Sequence, residues 1–137
     1  MKKLFRVALS AALALAMIPA SAALAAMSLA ELQNYIYTHA PANAAEVRAE
    51  ISGTIQEIHW AGASNHYEMT LAVDDEKAIP PMGSDKPQIA VHFRLHLDAV
   101  PFQVGDQITV SGTLNTMYSS MIIPNILADK INGGTDF

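Results

Sequence analysis

Apolar and polar residues alternate through most of the chain after residue 45. Four stretches show this period of two, VRAEISGTIQEI, HYEMTLAV, QIAVHFRLHL and QITVSGTLN, and YSSMIIPNILADKI supplies a fifth extended segment. A period of two is that of a β-strand with one buried face, and no helical pattern is long enough for crossovers between parallel strands. The pattern therefore predicts an all-β domain of five short strands, arranged as a small antiparallel barrel or sandwich.

The first predicted strand is the longest, and its alternation breaks at Ile58. Gly53 within it suits a bend or a bulge, which would let one strand pair at both ends of a sheet that closes on itself. Pro124, inside the fifth segment, suits an edge or bulge position because proline has no backbone N–H to donate. A closed barrel is one arrangement that such a strand allows, and the sandwich remains open.

One short helix is predicted before the strands. Ser28 and Glu31 have the spacing of a capping box, and apolar residues follow at helical spacing from Leu29 onward. The prediction is a helix over residues 29–38 and a connector, begun by Pro41, that completes a segment over residues 26–45. This helix is also a candidate surface for oligomerisation.

Residues 1–25 have the three-part pattern of a bacterial secretory signal peptide. A basic start with Lys2, Lys3 and Arg6 precedes an apolar Ala-rich run, and small residues up to Ala25 suit a cleavage site. The apolar run is shorter than the roughly 20 residues of a spanning helix, so no membrane span is expected after cleavage. The predicted location is the periplasm or the exterior, with an uncleaved anchor as the alternative.

Charge weighs against a nucleic-acid partner. Residues 26–137 keep all thirteen acidic residues and five of the eight basic ones, for a formal net charge of −8. Proteins that bind nucleic acids use clustered basic side chains to displace counterions from phosphates. The chain also has no cysteine, so its stability must come from packing or assembly.

Three further motifs occur in strand order. The first strand reaches Gly53, the second ends in Val-Asp-Asp at residues 73–75, and a Val-Gly-Asp turn at residues 104–106 leads into Val-Ser-Gly at 110–112. With these motifs, residues 46–131 resemble the oligonucleotide/oligosaccharide-binding (OB) fold, most nearly its tRNA-anticodon-type and exported bacterial members. The resemblance implies a five-stranded OB-fold-like antiparallel barrel, here preceded by the helix, with residues 132–137 as a tail. The sequence departs from nucleic-acid-binding members in its acidity and its few aromatic residues, and it has DAVPFQVG where members carry a helix.

Polar residues of the predicted second and third strands share one face. Symmetric pairing across a loop centred near residue 81 sets His66 opposite His96, Glu68 opposite Arg94 and Thr70 opposite His92, and the first strand adds Gln56 beside Glu68. The resulting candidate ligand-binding residues are His66, Glu68, Thr70, His92, Arg94 and His96, on the face that OB folds commonly use for ligands. Trp60, beside His59 at a predicted loop tip, is a further ligand contact.

Three uses of this patch remain open. The first is structural, with Glu68 and Arg94 as an exposed cross-strand pair. The second is recognition of an anionic or sugar-like ligand by the guanidinium of Arg94 and neutral hydrogen-bonding neighbours. The third is capture of zinc or copper by His66 and His96, helped by Glu68 or His92, although the nearby cation of Arg94 disfavours a metal ion.

No catalytic motif is found, so no enzymatic activity and no cofactor are expected. The prediction is an exported, non-enzymatic OB-fold module that recognises a small or oligomeric ligand, or a protein partner, on the face of strands one to three. The alternatives are single-stranded nucleic-acid binding and periplasmic transition-metal binding through His66 and His96.

Overall fold

The computed structural model describes residues 26–39, 47–62, 66–95, 99–115, 119–135 and 137. Helix α1 is followed by strands β1 to β5, with bounds Leu29–Thr38 for α1, Arg48–Ala61 for β1, His66–Ala72 for β2, Gln88–Phe93 for β3, Gln107–Leu114 for β4 and Asn125–Ile131 for β5. The strands close into a barrel in the order β1-β2-β3-β5-β4. All neighbouring strands are antiparallel except β3 and β5, which are parallel. This confirms the predicted all-β, five-stranded barrel with one preceding helix. The barrel has the OB fold.

The predicted signal peptide, residues 1–25, and most of the connector lie outside the described residues. Within the described part of the chain, no helix is long and apolar enough to cross a membrane.

Helix α1 closes one end of the barrel. Its capping box is formed, because the Ser28 hydroxyl accepts from the Glu31 amide at 3.2 Å and the Glu31 carboxylate accepts from the Ser28 amide at 3.2 Å. Leu29 and Leu32 are buried in the barrel core. The buried side chain of Gln33 donates to the carbonyls of Ile79, at 2.9 Å, and Ile122, at 3.2 Å. The helix is thereby joined to two of the loops that connect the strands.

The irregularity in β1 lies near Gln56, not at Gly53 as predicted. The register with β2 shifts between Ile55 and Glu57, so one extra residue is accommodated there. Such a bulge reverses the inward and outward faces, and this is why Ile58 breaks the alternation and still packs against the core. Gly53 meets a different requirement, since a Cβ at this position would lie 2.6 Å from the backbone oxygen of Ala72.

The predicted register between β2 and β3 is wrong by two residues. Glu68 pairs with His92 rather than Arg94, and Thr70 pairs with Ala90 rather than His92. A slip of two keeps each side chain on its own face, so the hydrophobic alternation cannot detect it. The true connection is centred one residue earlier than assumed, and β3 ends at Phe93, leaving Arg94 beyond the strand.

The bulge also changes which β1 residues stand beside β2. His59 pairs with Glu68 where Gln56 was predicted, and Glu57 pairs with Thr70. Trp60 and His59 therefore lie within β1 and not at a loop tip.

Aromatic packing fills the part of the barrel where β3 ends. Phe93 contacts Phe102, with ring centroids 6.2 Å apart, and Phe137, at 5.8 Å. Phe102 comes from the DAVPFQVG segment, which supplies a core side chain at the place where no helix was predicted. Phe137 is buried, so the segment predicted as a tail returns to the core.

Candidate functional site

Three histidines surround the carboxylate of Glu68 on the outer face of β1, β2 and β3. His59 Nε2 lies 2.8 Å from Oε2 of Glu68, while Oε1 lies 3.5 Å from Nε2 of His66 and 3.6 Å from Nε2 of His92. Register explains the convergence, because His59, Glu68 and His92 are direct neighbours across three strands and His66 is two residues from Glu68 on the same face. We call these four residues the histidine cluster.

His66 and His92 are more buried than residues on a solvated strand face, whereas the side chain of His59 is 51% exposed. His92 is only 7% exposed, and its Nε2 lies 2.7 Å from Nδ2 of Asn125 on β5. The rings of His66 and His92 stack with centroids 4.6 Å apart. Nε2 of His66 is buried and makes no hydrogen bond within the described residues. A buried polar atom without a hydrogen bond costs free energy, so its retention calls for an explanation.

Burial lowers the pKa of His92 below its ordinary value. The neighbouring carboxylate of Glu68 acts in the opposite direction, and the charges on protonated His66 and His59 lower the pKa further. The first and largest cause is loss of hydration for the charged imidazolium. His92 is therefore held in its neutral form more strongly than a solvated imidazole.

A cavity of about 570 Å³ adjoins the cluster at the ends of β3 and β5. This volume falls within the roughly 300–1,000 Å³ of small-molecule sites. Its wall combines apolar surface with polar and charged groups, and is lined by His66, His92, Phe93, Arg94, Asn115, Leu127, Ala128, Asp129, Thr135 and Phe137. The cavity thus combines an apolar wall with polar groups that converge from several elements.

The charged residues Asp129 and Arg94 at the cavity differ in their ion pairing. Asp129 is engaged by Arg48 through two contacts, at 2.8 and 2.9 Å. The hydrogen bond from Arg48 lowers the pKa of Asp129, and the hydrogen bond to Asp129 raises the pKa of Arg48. Arg94, in contrast, is exposed and forms no ion pair among the described residues. Its guanidinium is the cation at this cavity that is available to a ligand.

The structure brings together part of the predicted patch. His66, Glu68 and His92 meet in the cluster, and His66, His92 and Arg94 line the cavity. The predicted pair of Glu68 and Arg94 does not form, because His92 takes the position opposite Glu68. Thr70 does not line the cavity, and His96 lies outside the described residues.

Trp60 stands apart from the cavity. It is 50% exposed near the end of β1 and packs against Tyr67, with ring centroids 4.9 Å apart. Trp60 lies on the same side of the sheet as Tyr67 and Phe93, and Glu68 lies on the other side. Trp60 and the histidine cluster are thus two separate surfaces.

Sequence reasoning missed two members of the site. His59 joins the cluster because of the bulge, and the break at Ile58 was the signal that could have revealed it. Asn125 reaches His92 through the parallel pairing of β3 and β5, in which Ala90 is the direct partner of Asn125. No pattern in the sequence predicted the parallel pairing of β3 and β5.

No protein-family model and no curated protein matches this sequence. Among solved structures, the chain is similar to one from a replication protein A heterotrimer bound to single-stranded DNA, with a TM-score of 0.40, 18% identity, and coverage of 61% of this chain and 54% of that chain. It is also similar to a mitochondrial single-stranded DNA binding protein from S. cerevisiae, with a TM-score of 0.40, 13% identity, and coverage of 66% of this chain and 96% of that chain. The chain spans about half the length of the first of these.

Proposed function

We propose that this protein is an exported, non-enzymatic binding module whose ligand is a small molecule with an apolar body and one anionic group. The observation that carries the proposal is the cavity of about 570 Å³ with Arg94 at its wall and no ion-pair partner for that cation among the described residues. A guanidinium offers a planar set of donors that fits a carboxylate or a phosphate in two parallel hydrogen bonds. An unpaired arginine beside apolar surface therefore favours an amphipathic anion.

The rest of the wall suits the body of such a ligand. Phe93 and Phe137 supply aromatic surface, and Leu127 is 48% exposed although it is a large apolar residue. Covering this surface releases ordered water and contributes about 25 cal/mol per Å² of apolar area. Asp129 does not oppose the anion strongly, because Arg48 already compensates its charge.

Export is supported by the sequence of residues 1–25. Among the described residues, the amide of Met27, two positions after Ala25, donates to the carbonyl of Arg48 at 2.8 Å. Cleavage after Ala25 would leave this pairing intact.

The test is titration with anilinonaphthalene sulfonate, an aromatic anion whose fluorescence rises in apolar surroundings. We expect saturable binding of one molecule per chain, weakened at least fivefold by Arg94→Gln. Lys86→Gln is the matched control, since it removes one exposed cation that pairs with Asp74 on a distant loop. Equal binding by the two variants, or no saturable binding by the natural protein, would reject the cavity as an anion site.

Single-stranded nucleic-acid binding is the second candidate function, and exposed Trp60 is the observation that favours it. Proteins that bind single strands stack bases on aromatic side chains along a positively charged groove. Both solved structures described above are named for single-stranded DNA, but a likeness of that extent does not transfer a ligand. A titration of oligothymidine at two salt concentrations tests this candidate. Tight binding that weakens steeply with salt and is lost in Trp60→Ala would make nucleic-acid binding the better-supported function.

A further inference from the structure

We propose that His66, Glu68 and His92 bind one zinc ion, at a site that adjoins the cavity of Arg94 and shares the walls formed by His66 and His92. Imidazole nitrogens and a carboxylate oxygen are the ligands zinc takes in proteins when no cysteine is present. The ligand atoms of these three residues all lie within 4.8 Å of one another. Two histidines and one carboxylate leave a fourth position for water or an added ligand.

The two distances from the Glu68 carboxylate are near those of a tetrahedral ion. With metal–ligand bonds of about 2.0–2.1 Å, two ligand atoms of a tetrahedral site lie about 3.3–3.4 Å apart. Oε1 of Glu68 lies 3.5 Å from Nε2 of His66 and 3.6 Å from Nε2 of His92. The two Glu68 contacts would therefore need to shorten by only a few tenths of an ångström, while the two Nε2 atoms, which lie within 4.8 Å of each other, would have to turn toward one ion. An octahedral ion would need them about 2.9 Å apart, which is a poorer fit.

The Nε2 atoms of both histidines could turn a lone pair toward a metal ion. Nε2 of His66 is buried and makes no hydrogen bond within the described residues, a condition that a metal bond would relieve. At His92, the Asn125 amide lies 2.7 Å from Nε2 and donates to it when Nε2 is unprotonated, the state that a metal ion also requires. Binding replaces the hydrogen bond between Asn125 and Nε2 of His92 with a metal bond.

The neighbouring charges are compatible with a cation. His59 contacts the other carboxylate oxygen of Glu68 at 2.8 Å and so orients Oε1 toward His66 and His92. Arg94 is the nearest cation along the chain from His92, and its repulsion lowers affinity without preventing binding, because it is exposed and makes no ion pair with Glu68 among the described residues. Arg94→Gln is therefore expected to tighten zinc binding, the opposite of its effect on the anionic dye.

Isothermal titration of the purified protein with zinc chloride, supported by intact mass spectrometry under native conditions, tests the proposal. We expect one zinc ion per chain, with binding weakened at least tenfold by Glu68→Gln and by His66→Gln. Matched controls are Glu50→Gln, on the exposed face of β1, and His39→Gln, at the end of α1. The proposal fails if no zinc binds, or if the controls weaken binding as much as the cluster variants do.

A variant that is expected to bind zinc more tightly is a useful further test, because unfolding could not produce that result. Asn125→Asp places a carboxylate 2.7 Å from Nε2 of His92 and supplies a fourth ligand, so zinc binding is expected to tighten about tenfold. Unchanged or weaker binding by this variant, with the fold verified by circular dichroism, argues against the site. Dye binding and zinc binding are measured separately, so failure of either leaves the other standing.

Discussion

Nε2 of His66 lies 3.5 Å from Oε1 of Glu68, yet it is buried and makes no hydrogen bond within the described residues. Replacing His66 with phenylalanine is expected to raise the free energy of unfolding of the zinc-free protein by about 1 kcal/mol, because it removes this unsatisfied atom and keeps a ring against His92.

The same replacement at His92 is expected to act in the opposite direction, lowering the free energy of unfolding by about 1–3 kcal/mol. There the ring nitrogen is the buried partner of the Asn125 amide, which would be left unpaired. Urea unfolding of both variants measures the difference in a chelating buffer. Destabilisation of the same size in both would show that His66 Nε2 carries no penalty.

Gly53 is expected to resist substitution by alanine because of a close approach between strands. The added Cβ would lie 2.6 Å from the backbone oxygen of Ala72, so β1 and β2 must move apart, at a cost of about 1–3 kcal/mol. Gly134→Ala is the matched control, since its nearest contact would be an ordinary 3.7 Å. Thermal unfolding compares the two, and an equal loss of stability would mean that the approach of the strands is easily relaxed.

The pair of Arg48 and Asp129 gives a stability that depends on pH. The pKa of Asp129 is lowered in the folded protein, first by its hydrogen bond with Arg48, so acid protonates this carboxyl more readily in the unfolded chain. Its contribution is therefore complete above about pH 3.9, the ordinary value for aspartate, and is lost as pH falls through the lowered pKa. Because the pair is partly exposed, it contributes at most about 1 kcal/mol.

Urea unfolding of the natural protein and of Asp129→Asn between pH 7 and pH 2 measures this effect. The difference between the two proteins is expected at neutral pH and to disappear in acid. Asp74→Asn, which breaks the exposed pair with Lys86, serves as the control and is expected to change stability little at either pH. A difference for Asp129→Asn that persists unchanged at the acid end would assign its effect to packing.

Export predicts a mature protein that begins at Ala26. Mass spectrometry of the periplasmic fraction of a bacterial host is expected to show a chain shorter by residues 1–25, and replacement of Ala23 and Ala25 with bulky residues is expected to leave the precursor uncut. Recovery of the intact precursor in the cytoplasm alone would contradict export. Cleavage later than residue 27 would remove the main-chain pairing between Met27 and Arg48.

Strand positions followed from the sequence because burial imposes a period of two on each strand separately. Met69, Leu71, Ile89 and Val91 are buried as the alternation predicts. The helix was equally predictable, since both partners of its capping box are close together in the sequence. Local patterns therefore predicted the elements, and the resemblance to the OB fold predicted the barrel.

Which residues meet in the site depends on the register between neighbouring strands. The alternation of apolar and polar residues does not determine that register. A change of one residue in the centre of the β2–β3 connection exchanges Arg94 for His92 as the neighbour of Glu68. A single extra residue near Gln56 brings His59 into the cluster. Each of these alternative registers keeps the apolar residues inside the barrel, so hydrophobic burial does not distinguish between them.

The contact between Gln33 and Ile122 spans 89 positions of the chain. During synthesis, which proceeds from the N-terminus, α1 is complete long before the loop that holds its far side exists. This helix therefore cannot be fully anchored until nearly the whole barrel has emerged. A chain truncated before residue 122 would leave Gln33 with one of its two carbonyl acceptors missing, and the barrel end without its complete cover.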